Sequence, residues 1–180
     1  VLDAFGGTGA VAYRFKQAGK QVTYNDILAF NYTIGLALIE NSSETLYTDE
    51  VDDLVRPDSA LEYEHFIAET FDEIYFTHAE NVWLDIIIQN INHRLTHPCK
   101  RAMALFALYQ SCMVKRPYNL FHRKNLYIRE ADVKRSFGNK TTWDTSFESH
   151  FRKYVAEANA SIFDNGLQHK ALNQDVMSVS

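Results

Sequence analysis

The run Gly6-Gly7-Thr8-Gly9 constrains this chain most. It follows Val1-Leu2-Asp3-Ala4-Phe5, which reads as the end of a buried strand. It precedes Ala10–Ala18, whose Val11, Phe15 and Ala18 share one helical face. Three glycines in four positions let the backbone turn sharply and approach a ligand without Cβ clashes. The helix behind the turn points its N–H groups back at it, a seat for a polar or anionic ligand. Gly19 is a fitting helix stop, and Lys20-Gln21-Val22-Thr23-Tyr24-Asn25-Asp26 alternates like a second strand. Strand, glycine turn, helix and strand form a βαβ unit, whose crossover implies a parallel sheet.

Asp26 ends that second strand, 19 positions after Gly7. In nucleoside sites an acid at this place accepts hydrogen bonds from both ribose hydroxyls. The alternative is a solvated aspartate opening a turn. Ala171-Leu172-Asn173-Gln174-Asp175-Val176 reads as a late strand edge. Asp175 at a third strand end would face the same crevice as Asp3 and Asp26, able to accept from an adenine amino group. A plain turn aspartate is the competing reading.

Between these strands the pattern is mostly helical. A helix is expected over Ala29–Asn41, with Tyr32, Leu36 and Ile39 inward. Residues 42–57 are acidic and turn-rich and read as the exit from the sheet; 59–71 look helical. Thr77-His78-Ala79-Glu80 matches a capping box that opens a helix to about Leu95, and Pro98 opens another to Lys115. Thr145-Ser146-Phe147-Glu148 matches a second box, opening a helix to Phe163 that Asn165-Gly166 ends. A parallel sheet interrupted by so long a helical stretch implies an inserted subdomain. The expected division is 1–41 with 169–180 as the sheet domain and 42–168 as the insert.

The net charge of −5 hides a split. Residues 1–93 carry 4 basic and 16 acidic side chains, whereas 94–140 carry 11 basic and 2 acidic. A basic block inside an acidic chain suggests a polyanionic partner. Its dense segments, 115–129 and 134–143, interleave Lys and Arg with aromatics and with Asn, Ser and Thr. Cations neutralise phosphates, aromatics stack on bases, and Asn and Arg read base edges. The candidate contacts are Lys115, Arg116, Tyr118, Asn119, His122, Arg123, Lys124, Arg129, Arg135, Asn139 and Lys140. Phosphate contacts by Lys115 or Arg123 would make binding steeply salt-dependent. The competing reading is a solvated basic face whose aromatics are core.

The seven histidines show no metal spacing, and neither a serine nor a cysteine nucleophile motif occurs. Cys99 and Cys112 are expected to be reduced in a cytoplasmic protein, and no apolar run is long enough to span a bilayer. The chain begins inside its first expected strand and ends without a closing element, so it reads as part of a longer protein.

Asp3-Ala4-Phe5-Gly6-Gly7-Thr8-Gly9 resembles the S-adenosylmethionine motif of Dam-type, α-group DNA adenine-N6 methyltransferases, roughly Asp-Pro-Phe-x-Gly-x-Gly. Asn25-Asp26 looks like their second motif and Asn173-Gln174-Asp175 like the third. That family also places a target-recognition insert between the second and third motifs. The resemblance implies a Rossmann-like α/β methyltransferase sheet, here truncated, with a largely helical recognition insert. It implies S-adenosylmethionine as cofactor. Phe5, Gly7 and Gly9 would wrap the methionine part, with Asp3 near its amino group; Asp26 would hold the ribose and Asp175 would face the adenine. It further implies double-stranded DNA as partner and a place in a restriction–modification system; a monomer is the expectation. Two departures stand out. The family's lysine- and glycine-containing segment before the first strand is missing. So is its catalytic (Asp/Asn/Ser)-Pro-Pro-(Tyr/Phe) tetrapeptide, expected beyond Ser180, since no Pro-Pro occurs here. The fragment is therefore expected to be inactive alone. Two alternatives stay open: an RNA methyltransferase, and a non-catalytic DNA-binding or regulatory module with the same fold.

Overall fold

The computed structural model describes residues 1–116, 124–131 and 140–179. The chain divides into two units, Val1–Tyr47 with Leu95–Phe106 and Val155–Ser180, and Thr48–Arg94 with Ala107–Tyr154. The helical unit is thus narrower than the 42–168 expected from sequence: residues 42–47, 95–106 and those after 154 group with the sheet.

The first unit is built on β1 (Leu2–Asp3), β2 (Thr23–Asn25) and β3 (Lys170–Leu172), parallel and in that spatial order. Asp3 pairs with Tyr24, which in turn pairs with Ala171. The βαβ expectation therefore holds, and the late strand is β3. Helix α1 (Ala10–Gln17) connects β1 to β2 and ends where Gly19 N–H reaches Lys16 O and Lys20 N–H reaches Phe15 O. Both bonds belong to a Schellman ending, as Gly19 foretold. Helix α2 (Ala29–Gly35) runs on as a π-helical stretch, Leu36–Glu40. Ala12, Val22, Tyr24, Ile39 and Ala171 form the buried centre, and Tyr32 and Leu36 pack on it.

Two buried basic residues are satisfied locally. Lys16 Nζ lies 2.6 Å from Asn41 O and 3.4 Å from Leu38 O, carbonyls at the end of the π-helical stretch. A cation suits the negative end of a helix. Burial nevertheless lowers the Lys16 pKa to about 8. His169 Nδ1 accepts the Val22 N–H at 3.2 Å, and its Nε2 lies 3.0 Å from Asn165 Oδ1. That network assigns the neutral ring with its hydrogen on Nε2. Burial is the main cause that lowers the His169 pKa below 6.5, with Lys16 adding to it. A depressed histidine pKa means that the unfolded chain binds more protons, so stability rises with pH from the folded-state pKa up to about 6.5. Acidification should lower the urea midpoint in that window, and His169→Gln should flatten the dependence; urea titrations at pH 5 and pH 7 read both.

The second unit contains α3 (Thr48–Val55), α4 (Phe66–Thr70), α5 (His78–Arg94), residues 107–115 of α6 (Pro98–Lys115), α7 (Leu126–Glu130), α8 (Lys140–Asp144) and the first half of α9 (Phe147–Ala160). Three expectations need correction. Residues 48–55 are helical, with Asp49 and Glu50 favourably placed in the first turn and Val51, Leu54 and Val55 buried. Of 59–71 only Phe66–Thr70 is helical, because Asp58 Oδ1 captures Ala60 N–H and turns the chain instead. At α9 the cap is Ser146, whose Oγ accepts Ser149 N–H at 3.1 Å; Thr145 bonds Thr141 O and Glu148 pairs with Arg152.

Helix α5 explains why this unit is hard to read from periodicity. Its Asn81, Asp85 and Asn90 are buried. Asp85 takes the N–H groups of Ile67 and Ala68, capping α4, and Asn90 Nδ2 holds the carbonyls of Leu54 and Arg56. These polar groups pin neighbouring segments, so the helix has no plain apolar stripe. On the same helix, Trp83 stacks on Phe147 and meets Phe151 edge-on. Both cysteines are free thiols, and burial pushes the Cys112 pKa up to about 12.

Candidate functional site

Parallel pairing puts Asp3, Asp26 and Asp175 at the same, carboxyl, edge of the sheet, where open α/β sheets hold ligands. At that edge the glycine turn is held by backbone bonds from Gly6 N–H to Asn25 O and from Gly9 N–H to Gly6 O. Gly7 and Gly9 have φ of 50° and 77°, the left-handed region where a side chain would be strained. No side chain caps α1, which starts directly behind the turn.

Gly6 has a different reason to lack a side chain. A Cβ there would lie 2.0 Å from Cε2 of Tyr24. The Tyr24 ring is fully buried, and a Cβ at Gly35 would meet its other edge at 2.5 Å. The hydroxyl sits 2.7 Å from Gly7 O and 2.9 Å from Asn31 O, so it ties the turn to α2. Burial, with Asp26 and Asp3 nearby, pushes this phenol far above its ordinary pKa, and it stays a donor.

Asp26 completes the clamp. Its Oδ2 accepts Gly7 N–H at 2.9 Å and Asn31 Nδ2 at 3.0 Å, and its Oδ1 accepts Leu28 N–H at 2.9 Å. Desolvation is the largest influence on its pKa and acts upward, but the bonds from Leu28, Gly7 and Asn31 together outweigh it and hold the pKa low. A carboxylate offers about four acceptor positions, so about one remains on Oδ1. Asp26 thus organises the turn, beyond the ribose-holding role expected from sequence.

The other expected residues divide clearly. Asp3 Oδ2 is buried and has no hydrogen-bond partner. Phe5 is 77% exposed at the mouth of the turn. Asp175 is exposed and caps the 3-10 turn Val176–Ser178 through Met177 N–H. Sequence reasoning missed Asn25 as a bridge: Nδ2 donates to Ala4 O and Gln174 O, and Oδ1 accepts Gln174 N–H, tying the segments after β1 and β3 together. A buried asparagine beside Asp26 at a strand end was the available signal. Tyr24 and Asn31 left none, because their roles depend on what lies above β2.

Of the expected DNA contacts, Tyr118, Asn119, His122, Arg123, Arg135 and Asn139 lie outside the described residues. Lys124 and Lys140 are exposed. Three others are corrected. Lys115 and Arg116 are each only 2% exposed. Lys115 Nζ lies 2.7 Å from Glu80 Oε1, and the Arg116 guanidinium stacks 4.3 Å over the Tyr75 ring. Arg129 forms a two-pronged pair with Glu80. Their charges face inward because each has an internal partner that solvent-facing phosphates would have to displace. Glu80, Lys115 and Arg129 edge a cleft of about 450 Å³ with walls of Trp83, Trp143 and Phe147. Among the described residues no cluster of His, Cys, Asp and Glu is placed to hold a metal, and no helix is long and apolar enough to cross a membrane.

A parallel sheet, a glycine turn after its first strand and an acid after its second are the pattern with which open α/β sheets hold ligands. The family model for D12 class N6 adenine-specific DNA methyltransferases matches residues 1–179, and the chain belongs to that family. It is 33% identical to the Type II methyltransferase M2.HphI of Haemophilus parahaemolyticus, an alignment covering 99% of this chain and 54% of that protein. The chain therefore spans about half the length of the curated relative it matches. No solved structure matches it.

Proposed function

We propose that this chain supplies the cofactor turn and the DNA-recognition part of an S-adenosylmethionine-dependent DNA adenine-N6 methyltransferase of a restriction–modification system. One observation carries the cofactor assignment. Asp3 Oδ2 is a buried carboxylate oxygen without a partner beside a glycine turn in the left-handed region. Such an atom is costly to leave unpaired and fits the cationic amino group of the methionine moiety. Phe5 offers an aromatic face beside it, Gly7 and Gly9 allow close approach, and Oδ1 of Asp26 has room for one ribose hydroxyl. Asp175 is placed for the adenine end. When bound, the cofactor supplies an electrophilic methyl group; the residues named here hold and orient it.

The helical unit is the target-recognition part in this reading, with exposed Lys124 and Lys140 open to duplex DNA and with Tyr118, Asn119, His122, Arg123, Arg135 and Asn139 proposed as contacts from the sequence alone. The family and the named relative support DNA over RNA.

Calorimetric titration of S-adenosylmethionine into the chain tests the cofactor assignment. Asp3→Asn should weaken binding by about 10- to 100-fold, the loss of one charge-assisted hydrogen bond. ATP, with the same adenosine but a polyphosphate facing Asp3 and Asp26, should not compete. Equal affinities of wild type and Asp3→Asn, or competition by ATP, refute the assignment.

A further inference from the structure

One buried side chain braces the sheet edge from below. Three segments leave the carboxyl ends of the strands there: Ala4-Phe5 after β1, Asp26 after β2 and Asn173-Gln174-Asp175 after β3. Asn25, the last residue of β2, is 1% exposed. Its Nδ2 donates to Ala4 O at 3.2 Å and to Gln174 O at 3.1 Å, and its Oδ1 accepts Gln174 N–H at 3.2 Å. Both amide hydrogens and the amide oxygen are therefore in use. An aspartate in this place would lack the donors, and a leucine of similar shape would lack donors and acceptor alike. Asn173 adds a smaller brace, its Nδ2 donating to Asp26 O and Ile27 O at 2.8 and 2.9 Å.

The atoms that Asn25 bonds flank the candidate ligand groups. Ala4 lies between Phe5 and Asp3, whose buried Oδ2 has no partner, and Gln174 directly precedes the exposed Asp175. One side chain thus holds the segment assigned to the methionine end and the segment assigned to the adenine end at a fixed separation. Buried beneath both, it does not face the ligand itself. A ligand with two joined ends gains from its second contact only where the spacing of the two seats matches the linker.

We infer that Asn25 is a positioning residue for the cofactor: it sets the distance between the amino-acid seat at Asp3 and the adenine seat at Asp175, and so favours the joined ligand over its nucleoside part. This rests on the reading that the edge holds S-adenosylmethionine. Without the brace, the segment after β1 shifts relative to the segment after β3, and the ligand keeps one end at the expense of the other.

The test compares calorimetric titrations of S-adenosylmethionine and of methylthioadenosine, which keeps the nucleoside and the sulfur but lacks the amino-acid part. Asn25→Ala removes all three bonds. Asn25→Ser keeps a hydroxyl that donates a single hydrogen, and carries the test if Asn25→Ala does not fold. Each should weaken S-adenosylmethionine by about 10-fold or more while methylthioadenosine stays within about threefold of wild type. A double-mutant cycle with Asp3→Asn gives a second readout. If Asn25 acts by placing Asp3, its substitution should cost less than about threefold more in the Asp3→Asn background. Equal weakening of both ligands, or losses that multiply in the double variant, would mark general support of the fold and overturn the inference. If Asp3→Asn weakens binding while the Asn25 variants keep the wild-type preference, the cofactor reading stands and the inference falls. If the wild-type chain binds no S-adenosylmethionine, the cofactor reading itself fails, and the inference fails with it.

Discussion

Gly6→Ala is expected to destabilise the sheet unit by about 3 kcal/mol, the upper end of ordinary overpacking costs. It should also remove whatever S-adenosylmethionine binding the wild-type chain shows. The new methyl carbon would sit 2.0 Å from Tyr24 Cε2 and 2.4 Å from two further ring atoms. Contacts that close force either the ring or the turn to move. The ring cannot retreat, because its hydroxyl is fixed at Gly7 O and Asn31 O and its far edge faces Gly35. The turn must yield, and with it the Asp26–Gly7 bond that shapes the cofactor edge. Urea denaturation and calorimetric titration read the two effects. A second change, Tyr24→Leu, in the Gly6→Ala background should recover part of the stability by vacating the contested space. A Gly6→Ala chain with wild-type stability would show that the Tyr24 ring yields and does not dictate a glycine at this position.

Asp26→Ala should be nearly as damaging, at about 3 kcal/mol, because it leaves the N–H groups of Gly7 and Leu28 without their acceptor, each such loss costing about 1–3 kcal/mol when buried. Asp26→Asn should fall between wild type and Asp26→Ala. The Oδ2 side faces two donors, Gly7 N–H and Asn31 Nδ2, so the asparagine must turn its own amide toward Leu28 N–H, donor against donor. Cofactor affinity should follow the same ranking, wild type above Asn above Ala. If Asp26→Asn were as stable as wild type while losing all cofactor binding, Asp26 would be a ligand contact first and an organiser second.

Both predictions concern residues that the sequence marked, in roles that it did not fully describe. The parallel βαβ start, the helix stop at Gly19 and the Thr77–Glu80 capping box were legible because each depends on neighbours within a few positions. Asp26 was legible as a key acid, but its partners at Gly7 and Asn31 become countable only in the folded turn. The α5 helix shows the opposite case. Asn81, Asp85 and Asn90 look like a solvated face in a linear reading; they are buried because segments 48–71 dock their orphan backbone groups on them.

Charge is where linear reading went furthest astray. A cation within a basic run is most simply taken as solvent-facing, yet Lys115, Arg116 and Arg129 are turned inward. Nothing local to residues 115–129 encodes that. For Lys115 and Arg129 the partner is Glu80, more than thirty positions upstream, whose place in the first turn of α5 was itself visible as half of a capping box; for Arg116 it is the Tyr75 ring.

By itself the sequence determined the strand–turn–helix order, the glycines that such a turn requires, the acids at the strand ends and the family these imply. Those features rest on backbone sterics and short-range capping, which operate within a few residues. Only the tertiary structure decided which acid is spent on the turn, which keeps a buried oxygen unpaired, and which cations are paired inside. Those outcomes depend on desolvation and on partners brought in from distant segments, and a carboxylate or a lysine has no fixed role until its surroundings are folded around it.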